Sequence, residues 1–140
     1  MNELKKNKNK SFFSSPIKLS SNHLLAIEGM EKSEIQKLIE RADYFANLDR
    51  HTNTKVLQGY VVLNVFFENS TRTRVSFELA ARRLGAEVIN ISLINSSIKK
   101  GESLLDTAST LNAMRPDLLI VRHPHSGCLL YTSPSPRDVL

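Results

Sequence analysis

The chain has 140 residues, 41% of them apolar and 24% charged, which is the make-up of a globular domain with room for one hydrophobic core. No stretch approaches the roughly 18 consecutive apolar residues that a membrane-spanning helix needs, and the single cysteine, Cys128, leaves no disulfide framework and suits a reducing cytoplasm. Lys5, Lys6, Lys8 and Lys10 against Glu3 account for +3 of the net charge of +5, so the basic balance belongs largely to a polar tail whose lysines lack interleaved aromatics, a poor match to a nucleic-acid-binding surface.

Residues 1–20 read as a disordered basic tail rich in Ser, Asn and Lys, with no apolar segment of the kind a secretory signal carries. The stretch "SEIQKLIERADYFANL" predicts an amphipathic helix, with Ile35, Leu38, Ile39, Ala42, Phe45 and Ala46 on one face and Ser33 with Gln36 as its capping box. The run Tyr60–Phe67, "YVVLNVFF", is continuous and rich in β-branched and aromatic residues, as expected of a strand buried on both faces of a parallel sheet. A helix follows from about Thr71 to Leu84, with Phe77, Ala80, Ala81 and Leu84 as its inner stripe and Gly85 at the position of a C-terminal cap. "AEVINI" predicts a second strand. "GESLLDTASTLNAM" predicts a third helix, with Leu104, Leu105, Ala108 and Leu111 on one face and Pro116 marking its end, and "DLLIVR" predicts a third strand.

This alternation of strands and helices predicts an α/β domain, a parallel sheet with helices on both faces. In such sheets ligands bind beyond the carboxyl ends of the strands. Three unusual segments fall there: Glu68–Arg74, Ser92–Gly101 and Arg122–Gly127. The first carries Ser70, Thr71, Arg72, Thr73 and Arg74 at the junction of strand and helix. A helix N-terminus offers unpaired N–H groups, the hydroxyls add donors, and arginine forks match phosphate oxygens, so the junction reads as an anion cradle. The bland alternative is a Ser or Thr cap with solvated arginines. The glycines and terminal Lys-Ser/Thr of a P-loop are absent. His123 and His125, one residue apart around Pro124, read as a structural or solvent-facing pair, and no metal-ligand cluster is evident.

"FFENSTRTRVSFELAARRLGAEVINI" resembles the carbamoyl-phosphate motif of the aspartate/ornithine carbamoyltransferase family, whose Ser-Thr-Arg-Thr-Arg core stands here as Ser70–Arg74. "NSSIKKGESLLDT" and "VRHPHSG" resemble the aspartate branch of that family, and the three segments occur in the family's order over about residues 20–127. The resemblance implies the N-terminal, carbamoyl-phosphate-binding domain of the family fold. It also implies transfer of the carbamoyl group of carbamoyl phosphate to L-aspartate, in pyrimidine synthesis, without metal or organic cofactor. Ser70, Thr71, Arg72, Thr73 and Arg122 would bind carbamoyl phosphate, with Arg72, Arg122 and Lys100 as catalytic groups. Arg74 would either join them or brace the loop. Ser97 and Lys100 match a loop that enters the neighbouring subunit's site, where Lys100 would also reach L-aspartate. A homotrimer would follow, with a regulatory or dihydroorotase partner left open.

The resemblance ends at Gly127. "CLLYTSPSPRDVL", residues 128–140, resembles translated sequencing-adapter read-through; a natural linker or short isoform is the alternative. A second, aspartate-binding domain is absent from the 140 residues, so the chain alone is expected to bind carbamoyl phosphate without turnover. The rival readings are ornithine carbamoyltransferase, a non-catalytic homologue acting as a binding subunit, and a basic nucleic-acid-binding domain.

Overall fold

A computed structural model describes residues 17–49, 51–52, 54–93 and 104–125, the side chains of Leu104 and Leu105 excepted. The chain divides into two compact units, Met1–Arg50 and His51–Leu140.

The first unit holds helix α1, Lys32–Ala46. Its start differs from the sequence expectation. Glu31, in extended backbone, is the N-cap, and Ser33 already lies inside the first turn. The capping box pairs Glu31 with Glu34, whose carboxylate accepts the Glu31 N–H at 3.1 Å. Glu34 prevails because its longer side chain serves two segments at once: it also accepts the Ser20 backbone N–H and, at 3.2 Å, the Ser20 hydroxyl. These donors, the Ser20 N–H foremost, hold the Glu34 carboxyl below the usual range for glutamate. The expected apolar face is only half right. Ile35 and Leu38 are partly buried, but Ile39, Ala42, Phe45 and Ala46 are exposed, and Arg41 and Tyr44 take the inner positions.

The second unit is built on β1 (Val61–Phe66), α2 (Thr71–Arg83), β2 (Glu87–Ser92), α3 (Leu104–Ala113) and β3 (Leu118–Arg122). The sheet is parallel throughout, in the order β2-β1-β3. With a neighbour on each edge, β1 buries five of its six residues, which is why its sequence is a continuous apolar run rather than an alternating one.

Alternation along β1 divides its side chains between two cores. Leu63 and Val65 pack with Leu93 and with Leu111 of α3. Val62, on the other face, packs with Ala81 of α2 and with Ala86. Helices therefore cover both faces. The C-terminus of α2 closes as expected: Leu84 is the C-cap and Gly85, at φ +88°, takes the left-handed conformation that glycine adopts without strain. A Cβ there would meet the Lys55 backbone in close contact at 3.4 Å, so it is the backbone conformation that favours glycine. After α3 the chain turns at Arg115, φ +50°, before Pro116.

The inner stripe of α2 corrects the sequence reading. Ala81 packs on the sheet and Leu84 is partly buried, but Phe77 is 43% exposed and Ala80 is also exposed, while Arg74 and Glu78 are partly buried. Polar groups in the sheet beneath recruit polar partners here. Asn64, fully buried in β1, donates its amide to Asn90 Oδ1 of β2 at 3.0 Å, and Asn90 donates to Glu78 Oε2 at 2.7 Å.

Leu63→Ala removes a fully enclosed side chain from the centre of one core. It is expected to cost about 2–5 kcal/mol, read as a shifted denaturation midpoint at unchanged slope. For Glu34, whose carboxyl is depressed in the fold, the stabilisation is complete above the ordinary glutamate value of about 4.3. It is lost as pH falls through the depressed value. Amide exchange in the first turn of α1 should therefore accelerate only in acid, and Glu34→Gln should abolish that pH dependence.

Candidate functional site

The register sets the site. Phe66 of β1 is level with Ser92 of β2 and with Arg122 of β3. The carboxyl ends of all three strands thus lie in one layer. Phe67 N–H donates to the Arg122 carbonyl at 2.9 Å, and Leu93 N–H donates to the Phe66 carbonyl at 2.9 Å, locking the layer just past the strands.

From this layer the chain leaves β1 and enters α2 within five residues. Ser70 is the N-cap of α2, yet its hydroxyl makes no capping hydrogen bond. The side-chain cap that the bland reading assigns to Ser70 is therefore not made. The first helical acceptor bond runs from Arg74 N–H to the Ser70 carbonyl at 3.0 Å, so the N–H groups of Thr71, Arg72 and Thr73 have no acceptor within the helix. The first turn contains no acidic residue, and the positive end of the helix is left open to an anion.

Ser70, Thr71, Arg72, Thr73 and Arg122 line one open cleft of about 380 Å³, within the usual size of small-molecule sites. Arg122, 49 residues from Thr73, donates from Nη1 to Thr73 Oγ1 at 2.6 Å. Because that oxygen accepts, its own proton is directed elsewhere. The Nε of Arg122 pairs with the Glu68 carboxylate. Two of its five N–H donors are thereby committed, and three remain for a ligand. Arg72 is exposed and forms no ion pair among the described residues. Arg74 does not join this cleft. It lines a smaller pocket on the inner side of the junction, with Phe66, Glu68, Asn69, Ser70, Thr71 and Ser92.

Five expected residues thus meet in one place, and Arg74 separates from them. Ser97 and Lys100 lie outside the described residues. His123 packs against Phe67, ring centroids 4.9 Å apart, and its Nδ1 accepts the His125 backbone N–H at 3.1 Å. That bond occupies one of its two ring nitrogens. Among the described residues no group of three or more His, Cys, Asp or Glu is placed to hold a metal ion.

Sequence reasoning missed Glu68 and the Asn64–Asn90–Glu78 series. Glu68 was visible only as an acid in a cationic stretch; its partner is 54 residues away. Asn64 had a clearer signal, a polar residue inside an otherwise apolar strand.

Residues 22–134 match the family described as aspartate/ornithine carbamoyltransferase, carbamoyl-P binding domain. Aspartate carbamoyltransferase catalytic subunits of Rhodospirillum rubrum and Granulibacter bethesdensis are 58% and 59% identical to the chain over 107 residues, 75% of this chain and 34% of each relative. Among solved structures, the catalytic subunit of M. jannaschii aspartate transcarbamoylase superposes with a TM-score of 0.73 at 37% identity, covering 81% of this chain and 38% of that one. The Trypanosoma cruzi aspartate transcarbamoylase, solved with aspartate and phosphate, gives 0.70 at 35% identity, with 81% and 37% covered. A parallel sheet with an open cleft at its carboxyl edge is therefore joined to a specific lineage. The chain belongs to the aspartate/ornithine carbamoyltransferase family, and it spans about a third of the length of the curated relatives it matches.

Glu68→Gln removes an anion that competes for Arg122. Exposed pairs of this kind contribute up to about 1 kcal/mol, so inorganic phosphate should bind up to about fivefold tighter, read by calorimetry at neutral pH, with little change in melting temperature.

Proposed function

We propose that the chain supplies the carbamoyl-phosphate half of an aspartate carbamoyltransferase, which transfers the carbamoyl group of carbamoyl phosphate to L-aspartate. The observation that carries this reading is the meeting of Ser70, Thr71, Arg72 and Thr73, at an open helix N-terminus, with Arg122 from the end of β3. The names of the relatives support aspartate rather than ornithine as the acceptor.

The roles are those the family resemblance implies, and the geometry of the cleft supports them. The N–H groups and hydroxyls of Ser70, Thr71 and Thr73 receive the phosphate oxygens at the positive end of α2. Arg72 is the uncommitted cation, suited to the leaving phosphate. Thr73 and Arg122, already bonded to each other, face the carbamoyl oxygen. The aspartate amine attacks the carbamoyl carbon; the new C–N bond forms as the C–O bond to phosphate breaks. The amine gives up a proton, which the leaving phosphate takes up, and the products are inorganic phosphate and N-carbamoyl-L-aspartate. Charge grows on the carbonyl oxygen and on the phosphate, and donors fixed in advance lower the barrier without reorganising. Holding both substrates in one cleft removes much of the entropic cost.

By the family resemblance Ser97 and Lys100 complete the site from a neighbouring subunit, Lys100 also contacting L-aspartate, which makes a homotrimer the working assembly in the cytoplasm. No helix among the described residues is long and apolar enough to cross a membrane.

In a chain completed by the second domain, Arg72→Ala should lower kcat by about 10²–10³, the scale for loss of one preorganised donor to developing charge, with a much smaller change in the aspartate KM. Steady-state assay of N-carbamoyl-L-aspartate formation checks this; a near-wild-type rate would remove Arg72 from the reaction.

A further inference from the structure

Helix α2 and its N-cap carry Ser70, Thr71, Arg72 and Thr73, so the cleft depends on where α2 lies on the sheet. Apolar packing defines that place poorly. Ala81 is the buried residue of α2, and its methyl group packs with Val62 and Ala86. Val75, Phe77 and Leu79 are all exposed. Hydrophobic contact is non-directional, and one methyl group gives a helix little resistance to rolling or sliding.

A directional contact joins α2 to the sheet. Glu78 Oε2 accepts from Asn90 Nδ2 of β2 at 2.7 Å. The other oxygen, Oε1, accepts from Arg82 Nε, one turn along α2, at 3.0 Å, so the carboxylate is held in place on its own helix. Asn90 is held from the other side. Its Oδ1 accepts from Nδ2 of Asn64 at 3.0 Å, and Asn64 is wholly buried in the central strand, level with Asn90. An ionised carboxylate only accepts, so the direction of both amides follows from Glu78, whose carboxyl is kept below the usual glutamate range by the bonds from Arg82 and Asn90. Asn64 must therefore donate, which leaves its buried Oδ1 without a partner among the described residues. An unmet buried acceptor costs stability; what the polar series provides is direction.

Thr71 stands seven residues before Glu78 on the same helix, about 10 Å along its axis. Side-chain tips lie about 5–6 Å from that axis, so a roll of about 20° moves them by about 2 Å. The bond from Arg122 Nη1 to Thr73 Oγ1 is 2.6 Å long and would not survive such a displacement.

We propose that Asn90 is a positioning residue for the cleft: by holding Glu78 against β2 it fixes the roll and axial position of α2, and so sets Thr71, Arg72 and Thr73 opposite Arg122 of β3. On this view α2 is tied by a polar contact to each outer strand of the described sheet, Glu78 to Asn90 and Thr73 to Arg122. The inference rests on the reading of Ser70–Thr73 as the phosphate site.

Glu78→Ala and Glu78→Gln separate contact from charge. Both remove a negative charge, which by electrostatics alone would tighten phosphate binding equally; only glutamine keeps an oxygen for Asn90. In the full 140-residue chain, titrated with inorganic phosphate at neutral pH, Glu78→Ala is expected to raise Kd about three- to tenfold, the scale of coupling between neighbours, with Glu78→Gln within about twofold of the wild type. Equal effects of the two, or no loss in Glu78→Ala, would overturn the proposal. Asn64→Val combined with Asn90→Val removes both amides together and leaves neither unpaired in the sheet. This double variant is expected to melt no lower than the wild type yet to bind phosphate as weakly as Glu78→Ala, and adding Glu78→Ala to it should change nothing further. Wild-type affinity in the double variant, or a further loss on adding Glu78→Ala, would equally defeat it.

A second readout needs no ligand. The amide resonances of Thr71, Arg72 and Thr73 should be displaced or broadened in Glu78→Ala and wild-type in Glu78→Gln; resonances unmoved in Glu78→Ala would refute the tether. Arg72→Ala serves as the separate control. If it binds phosphate as the wild type does, the phosphate-site reading fails, while the three amide resonances still decide the tether.

Discussion

The parallel register of the central strand is the constraint on which the rest of this domain depends. Pairing β1 with β2 on one edge and β3 on the other leaves no freedom in where the strands stop: Phe66, Ser92 and Arg122 must be level. A slip of one residue along β3 would turn Arg122 to the opposite face of the sheet and exchange the two cores. The hydrophobic alternation of Val62 against Leu63 and Val65 therefore protects the register, and the register delivers Arg122 to Thr73. A contact across 49 residues of chain is, in this sense, a consequence of core packing.

Much of this was legible before the structure. The three strands and the helices between them followed from composition and period, and four consecutive residues singled out at the strand–helix junction, Ser70–Thr73, line one cleft. Local features are legible because their physics is local: Ser70–Thr73 come together because they are neighbours in the sequence. What escaped was either pairwise over distance or decided by a competing side chain. Ser33 and Gln36 satisfy the usual capping pattern, yet Glu34 prevails because it reaches Ser20 as well as Glu31. Phe77 and Ala80 satisfy the apolar period of α2, yet Arg74 and Glu78 occupy the inner positions because asparagines lie in the sheet beneath. An apolar period identifies a helix more reliably than it identifies which residues touch the sheet.

The two arginines of the junction illustrate the same point. Arg72 and Arg74 stand in identical local sequence, each after a threonine. Two residues along a helix correspond to a rotation of about 200°, so the pair cannot serve one ligand from one face. The structure sends Arg72 to the open cleft and Arg74 to the inner pocket. Repetition in the motif therefore places its two arginines in different pockets of the junction.

Charge explains why both faces need an acid. An anion site wants surplus positive charge, but Arg72, Arg74 and Arg122 gathered near the positive end of a helix would repel one another before any ligand arrived. Glu68 answers Arg122 on the open side, and Glu78 sits one turn from Arg74 on the inner side. Among the described residues neither Arg72 nor Arg74 forms an ion pair, whereas Arg122 pairs with Glu68. Their positions are not equivalent. Glu68 lies in the junction, beside the cleft, where an incoming anion can compete with it for Arg122. Glu78 is fixed through Asn90 to the core, out of reach of the cleft. One carboxylate therefore borders the cleft, paired with Arg122, and the other is tied into the sheet through Asn90.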